Sequence, residues 1–444
     1  MNITPSPRPL REAHAHIASH GESLSLLDLS GCRSVGACLR DLANLARRAE
    51  HHDPRHTRDG WVLAFGARVE SWNEQRWPTR RELDEASGPP CVIMSFDHHS
   101  AGANSGAMRL AGLDPAQHPG VLLEGDAYRA WNAAPEPSRD QRKRHVLASL
   151  SALAGLGVVE VHDMLSQDWL GPILGELAAD GALPVQCVWL YPPVNAFDPA
   201  RHEWESERVR LAGAKVFADG TLNSRTALML HDYREPIQGL PRGQTMASAA
   251  ELDAALLKVS AARGHLAVHA IGDAAVRSVL DAIERVNPRA DDLGIRARIE
   301  HCELIDEADI PRFARLGVVA SLQPCHLLYD IEALTRYLPH RLDRVLPIRE
   351  LLESGCAAGM LTADQRRAGA GEVWFGSDVP IVRANAEDSV EAATRRSRAD
   401  APALTVAAAQ RIDEATAWRC FEPAPARTSS ASLQQRAAPT YRAS

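Results

Sequence analysis

Glu12-Ala13-His14-Ala15-His16, near the start of the 444-residue chain, is the stretch that decides the predicted fold. Side chains two residues apart point to the same side of a β-strand, so His14 and His16 can reach one point. Imidazole is a ligand that zinc and related metals prefer. The stretch therefore predicts a strand that delivers two metal ligands.

Four later apolar runs each end at a polar residue that can take part in a metal site. These residues are Lys215, His269, His301 and Asp378. In parallel α/β barrels, active sites lie at the carboxyl ends of the strands, where residues from distant parts of a sequence meet. We therefore predict that these residues and the two histidines form one metal centre.

Short apolar runs alternate along the chain with stretches whose apolar residues recur at helical spacing. Near-continuous apolar strands separated by helices favour a parallel sheet covered by helices. Eight such units predict an α/β protein built as a (β/α)8 TIM-type barrel. The predicted strands are Leu10–Ile17, Val158–His162, Val185–Tyr191, Ala214–Ala218, Leu266–Ile271, Ala297–His301, Val318–Leu322 and Val373–Gly376, and the predicted helices include Ala249–Arg263, Ala274–Val286 and Ala308–Leu316.

The first two predicted strands are separated by about 140 residues, far more than one connecting helix needs. This stretch contains a helical pattern, Ser34–His51, and two β-like runs, Trp61–Val69 and Cys91–Phe96. We therefore expect a subdomain inserted at residues 18–156, over the barrel mouth, within a barrel unit of residues 1–422. Residues 423–444 are rich in Ala, Pro, Ser and Arg and predict a disordered tail.

Composition narrows the class of protein. A hydrophobic fraction of 45% is enough for a large core, and a net charge of −8 gives no electrostatic case for nucleic acid. The sequence has no apolar run long enough for a membrane span. Its eight cysteines are scattered without a Cys-x-x-Cys pair, which is typical of reduced thiols in a cytoplasmic protein.

Taken together and in order, these motifs resemble the metal-dependent amidohydrolase superfamily, and within it the amidohydrolase-3, YtcJ-like group. The resemblance spans residue 10 to about residue 418. It rests on Glu12–His16, Asp97–Ser105, Lys215–Ala227, His269–Asp273, Arg298–Cys302, Ser321–His326 and Gly376–Pro380.

The resemblance implies a divalent metal centre, with zinc as the expected metal and one or two ions. His14 and His16 would hold one ion, and His269 and His301 would hold the second. Lys215 would bridge them as a carbamate, because an ammonium group has three donors and no lone pair. The alternative for Lys215 is a plain cation that pairs with a carboxylate or an anionic substrate.

Asp378 and Lys215 are the implied catalytic residues. Asp378 would contact the metal and move a proton from a metal-activated water to the leaving nitrogen. The alternative for Asp378 is a helix N-cap, since Gly-Ser-Asp is turn chemistry. The implied activity is hydrolysis of a non-peptide carbon–nitrogen bond in a small molecule, such as an amide, carbamate or cyclic amide. The same site could serve ester hydrolysis or isomerisation, and a non-catalytic metal-binding barrel is a further alternative.

Substrate-binding candidates lie in loops after the strands or in the inserted segment. Asn104 and Asp163 are also good turn and capping residues, so a purely structural role is equally open for them. The candidates are His99, Asn104, Asp163, Arg225, Gln323 and His326.

The sequence departs from the family pattern in three places. The family normally has a β-sandwich domain flanking the barrel, and we expect it to be missing here, both ahead of the doublet and in the Gly-rich end segment after the last helix. The acid before the doublet, usually Asp, is Glu12. We expect the surface left by the sandwich to be covered in another way, and a homo-oligomer is one possibility.

Overall fold

The strands that carry the histidine doublet and the later candidate ligands lie in two parallel sheets of the computed structural model, which describes residues 8–50, 58, 60–69, 72–95, 100–118, 121–286, 296–361, 370–397 and 405–423. The strands are β1 (Leu10–Ala15), β2 (Leu27–Asp28), β3 (Val62–Ala67), β4 (Cys91–Ser95), β5 (Ser100–Ala103), β6 (Val121–Leu123), β7 (Val158–Met164), β8 (Cys187–Tyr191), β9 (Val209–Leu211), β10 (Gly213–Phe217), β11 (His265–Ala270), β12 (Arg296–His301), β13 (Val319–Leu322), β14 (Ala357–Ala358) and β15 (Glu372–Phe375). The α-helices are α1 (Ile17–Ser23), α2 (Val35–Glu50), α3 (Arg80–Ala86), α4 (Ser105–Leu110), α5 (Glu124–Asn132), α6 (Arg139–Gly155), α7 (Leu170–Ala179), α8 (Ala249–Ala261), α9 (Asp273–Val286), α10 (Ile310–Leu316), α11 (Leu327–Tyr337), α12 (Ile348–Glu353), α13 (Ala386–Arg395) and α14 (Glu414–Arg419).

Helix boundaries follow local chemistry. Helices α6 and α8 begin with capping boxes, in which Ser138 pairs with Gln141 and Ser248 with Glu251. Helix α10 ends at Gly317, whose left-handed φ of 64° costs glycine little. These signals fix where α6 and α8 begin and where α10 ends.

The two parallel sheets have the strand orders β1-β7-β8-β9 and β10-β11-β12-β13-β15-β14. Two isolated parallel bridges, Ala15 with Val379 and Pro193 with Lys215, join the sheets at two places. One hydrophobic core lies between strands and helices, with Val268 and Ile299 on strands and Leu280 on α9 among its fully buried residues. This arrangement confirms the predicted α/β fold with parallel sheets.

Each of the eight predicted strands overlaps an observed strand, and the ends differ by at most two residues. Within the two parallel sheets, the predictions missed β9 and β14, because strands of three and two residues are too short to show a pattern. The prediction of a single helix over Ala308–Leu316 was wrong, because a 3-10 turn, Glu307–Asp309, precedes α10.

Residues between β1 and β7 form a separate five-stranded sheet, in the order β2-β3-β4-β5-β6. Alternate residues of its central strands face two different apolar clusters: Val62 and Ile93 lie in one, Leu63 and Val92 in the other. Helix α6, within the predicted insertion 18–156, contributes Val146 and other residues to the main core instead. The insertion boundaries therefore stay a prediction.

The described residues bear on three further predictions, which concern membrane spans, cysteines and the C-terminal tail. None of its helices has the length and apolar character that crossing a membrane requires. All eight cysteines are free thiols, as expected for a reduced protein. The predicted disordered tail lies outside the described residues, except for Pro423.

The contact between β10 and β11 leaves no room for a side chain at Gly213. A Cβ atom there would lie 1.8 Å from the backbone oxygen of His265, so the sheet would have to shift. We expect Gly213→Ala to lower the free energy of unfolding by about 1–3 kcal/mol, measured by urea denaturation. Gly155→Ala is the control, because no atom lies within 4 Å of its added Cβ. Equal stability of the two variants would contradict this packing.

Candidate metal centre

The histidine doublet lies where β1 ends. His14 is the last but one residue of the strand, and His16 directly precedes α1. The Nε2 atoms of His14 and His16 lie 3.4 and 3.0 Å from Oδ1 of Asp378. Backbone hydrogen bonds hold the segments together, since Asp378 N donates to His14 O and His16 N donates to Val379 O, at 2.8 and 2.9 Å. The two imidazoles therefore converge on one carboxylate.

The other two predicted histidine ligands adjoin the doublet. The ring of His301 is centred 4.9 Å from that of His14 and 4.5 Å from that of His269. His301 is buried, and its Nδ1 has no hydrogen-bond partner. Its backbone is left-handed, with φ 72°, a strained conformation of the kind that persists at functional sites. The structure thus brings His14, His16, His269 and His301 into one chain of rings.

Lys215 lies on β10 and is almost fully buried. Burial lowers its pKa to about 8, although Glu300 and Asp378 oppose the shift. Among the residues that the structure describes, Lys215 has no salt-bridge partner, so the alternative of a cation paired with a carboxylate finds no support. A lowered pKa supplies the neutral amine that reaction with CO2 requires.

Asp378 follows β15 in a left-handed conformation, φ 64°. Burial alone would raise its pKa, but His14, His16 and His326 outweigh burial and hold the pKa well below its usual range. The next helix, α13, is capped by Asn385 rather than by Asp378. The side chain of Asp378 is therefore an ionised carboxylate turned towards the histidines and not a helix cap.

Carboxylate and carbonyl oxygens fix the tautomers of the doublet. Nδ1 of His14 lies 2.7 Å from Oε2 of Glu300, and Nδ1 of His16 lies 2.7 Å from the carbonyl oxygen of Met164. Both oxygens can only accept, so each Nδ1 carries a proton and Nε2 is the nitrogen that can ligate. Burial lowers the pKa of His14 to about 4, which keeps the ring neutral. Burial alone would also lower the pKa of His16, but Asp378 outweighs burial and raises it. Nε2 of His14 is therefore available to a metal ion, whereas a metal ion at Nε2 of His16 would replace a proton.

Sequence reasoning missed the residues that support these ligands. Glu300 forms a salt bridge with Arg298, which also donates to the hydroxyl of Ser321 at 2.8 Å. Glu12 accepts from the backbone N and the Oγ of Ser377, both at 2.8 Å, and ties β1 to the segment that carries Asp378. The signal that could have identified the two glutamates is their adjacency to predicted ligands: Glu300 lies one residue before His301, and Glu12 lies two residues before His14.

Three substrate-binding candidates have structural partners. Asn104 caps α4, accepts from Cys91 N and donates to two carbonyls, so its polar atoms are fully used inside the five-stranded sheet. Asp163 accepts from Ile17 N and from Ser166 Oγ. Arg225 donates to the carbonyl of Glu235 and lies over the ring of Tyr337. These contacts engage all three side chains in local structure, although Nε of Arg225 is buried without a hydrogen-bond partner, and their substrate role stays a prediction.

The remaining candidates divide. His99 lies outside the described residues. Gln323 is buried, and its Oε1 has no hydrogen-bond partner. Nε2 of His326 lies 3.8 Å from Oδ2 of Asp378, and its ring is centred 5.9 Å from that of His301. Among the candidates that the structure describes, His326 thus lies beside the predicted ligands Asp378 and His301.

The donor set fits a divalent metal ion. Ligand atoms of His14, His16 and Asp378 lie within 4.8 Å of one another, as do those of His301, His326 and Asp378. Oδ1 of Asp378 is buried without a hydrogen-bond partner. Neutral imidazoles around a carboxylate are the ligands that zinc prefers, and a buried atom without a partner is the feature that ligation would satisfy.

Comparison with known proteins agrees with this geometry. The chain is 26% identical to the putative amidohydrolase YtcJ of Bacillus subtilis over 388 residues, which are 78% of this chain and 68% of YtcJ. It is 25% identical to the N-substituted formamide deformylase of Arthrobacter pascens, over 66% of this chain and 59% of that protein. A crystal structure of a metal-dependent hydrolase from Pyrococcus horikoshii superposes with a TM-score of 0.74 and 25% identity, covering 92% of this chain and 78% of that one.

The family model of the Amidohydrolase family matches residues 9–417, which include every predicted metal ligand. These comparisons confirm the resemblance found in the sequence. The chain belongs to the Amidohydrolase family.

Proposed function

We propose that the protein is a zinc-dependent hydrolase that cleaves a non-peptide carbon–nitrogen bond of a small molecule. The observation that carries the proposal is the convergence of the imidazoles of His14 and His16 on the carboxylate of Asp378 at the ends of β1 and β15. The choice of a carbon–nitrogen bond is supported by the deformylase among the relatives. His14, His16, Lys215, His269, His301 and Asp378 are the proposed ligands.

We further propose that the two parallel sheets form one (β/α)8 barrel. The bridges of Ala15 with Val379 and of Pro193 with Lys215 are the features expected where neighbouring barrel strands diverge. A barrel places the carboxyl ends of all its strands on one face, which is the face where the proposed ligands lie. The five-stranded sheet would cover this face, and its Arg68 lies 5.9 Å from the ring of Tyr329 on α11.

A bound metal ion supplies a Lewis acid that polarises a carbonyl and lowers the pKa of water. Asp378, ionised at neutral pH, is placed to accept a proton from an attacking water and to return it to the leaving nitrogen. His326, beside Asp378, can donate a hydrogen bond to a substrate oxygen. Lys215 reacts as its neutral amine with CO2, losing a proton and gaining a carboxylate that can ligate.

The proposal is tested by metal analysis of the purified protein together with a screen of N-acyl, N-formyl and carbamoyl compounds. The expected result is bound zinc and turnover of at least one compound, abolished by a chelator and restored by zinc. Ester substrates included in the same screen separate amide from ester hydrolysis. A metal-free protein without turnover would overturn the proposal.

The doublet should dominate metal retention. We expect His14→Ala combined with His16→Ala to lower the zinc content to a small fraction of the wild-type value, measured by mass spectrometry of the metal. His202→Ala, which removes a ring stacked on Trp204 away from the doublet, should leave the metal content unchanged. Full zinc content in the double variant would count against these ligands.

Glu300 should act on the metal through His14. In Glu300→Gln the acceptor of Nδ1 loses its charge, and the affinity for zinc should fall about 10–100-fold. Glu160→Gln is the matched control, because Glu160 is also buried and pairs with an imidazole, that of His162 at 2.9 Å. Zinc affinity measured by competition with a chelator should therefore change in the first variant and hold in the second.

Asp378→Asn should keep the fold and lose turnover. Asparagine tolerates the left-handed backbone at this position, so the local structure should be preserved. Asparagine cannot accept a proton at neutral pH, and we expect the turnover rate kcat to fall by about 10²–10⁴-fold. Circular dichroism verifies the fold, and a variant that retains more than about a tenth of the rate would exclude Asp378 as the base.

A further inference from the structure

A second cluster of buried ionisable groups lies beside the proposed centre. Glu303 follows β12, His326 lies in the 3-10 turn after β13, and Asp330 is on the first turn of α11. All three are at least nine-tenths buried, at 4%, 7% and 7% exposure. One ligand atom from each lies within 4.8 Å of the others. Two carboxylates and an imidazole thus share a small buried volume.

The carboxylates of the cluster lack a permanent cation: among the described residues, no Lys or Arg forms a salt bridge with Glu303 or Asp330. Asp330 accepts one hydrogen bond, from Nδ2 of Asn223 at 2.6 Å. The carboxylate of Glu303 accepts none from the described residues, and its nearest polar partner is Nδ1 of His326 at 3.7 Å. A buried carboxylate without a donor is costly unless a cation reaches it.

The orientation of His326 separates this cluster from the proposed centre. Its Nε2 faces Asp378, whereas its Nδ1 faces Glu303. The two ring nitrogens of one imidazole can therefore serve two different groups. A cation on the Nδ1 side would lie one imidazole ring away from Asp378 and would not compete for the doublet.

We infer that Glu303, His326 and Asp330 form an auxiliary site for a divalent cation, distinct from the centre built on His14 and His16. Two carboxylate oxygens and one imidazole nitrogen suit zinc, manganese and iron alike. The Nδ1 to Oε1 distance of 3.7 Å is close to the separation of two ligands on one ion. The inference concerns metal binding by these three residues and does not depend on the substrate of the proposed reaction.

The test uses the full chain, stripped with a chelator and reloaded with zinc or manganese, with bound metal counted by mass spectrometry. We expect Asp330→Asn to bind about one equivalent less than the wild type. Glu303→Gln should show the same loss. Asp388→Asn is the matched control, because its carboxylate is buried to a similar extent but is paired with Arg383 at 2.6 Å.

Thermal unfolding provides a second measurement. Removing one of two adjacent buried carboxylates relieves their repulsion, so the metal-free Asp330→Asn variant should unfold at or above the wild-type Tm. Added metal should then raise the Tm of the wild type more than that of the variant.

The inference is overturned if Asp330→Asn and Glu303→Gln both bind as much metal as the wild type. A loss of metal confined to the His14→Ala, His16→Ala variant would overturn it too, while leaving the proposed hydrolase intact. Conversely, a protein that loses one equivalent in Asp330→Asn yet cleaves none of the screened compounds would support the auxiliary site and count against the proposed function.

Discussion

The hydrogen bonds between the end of β1 and residues 378–379 are the constraint on which the centre depends. They place the backbone of His14 next to that of Asp378, although the two residues are 364 positions apart in the sequence. Glu12 strengthens the same junction by accepting two hydrogen bonds from Ser377. The positions of the doublet and of the carboxylate are therefore set by backbone contacts, and their side chains need little rearrangement to share an ion.

Burial keeps two of the histidine rings in the candidate centre neutral. It lowers the pKa values of His14 and His269 to about 4 and about 3. The carboxylates behave in the opposite way, because Arg298 holds the pKa of Glu300 well below its usual range even though burial alone would raise it. Neutral nitrogens and ionised oxygens are the donors that the proposed metal site requires.

The sequence predicted the parts of the protein that depend on periodicity. Apolar runs located the eight strands, and a polar residue at the end of each run located His269, His301 and Asp378. Partners that depend on tertiary packing were not accessible in this way. Glu300 lies 2.7 Å from His14 although the two are 286 positions apart in the sequence, and Glu303, after β12, lies close to Asp330 on α11. Asn104 matches a family motif, yet its side chain is committed to local structure.

The position of Arg298 explains why Glu300 differs in role from Glu303 and Asp330. Arg298 lies on β12, two residues before Glu300, where its guanidinium neutralises Glu300 and orients it towards His14. Among the described residues, no arginine or lysine forms a salt bridge with Glu303, which follows β12, or with Asp330, which lies on α11. A carboxylate that already has a permanent cation can only position a neighbour, whereas one without a cation retains the capacity to bind one. Glu300 therefore supports the proposed ligand His14, whereas Glu303 and Asp330 form the proposed cation site.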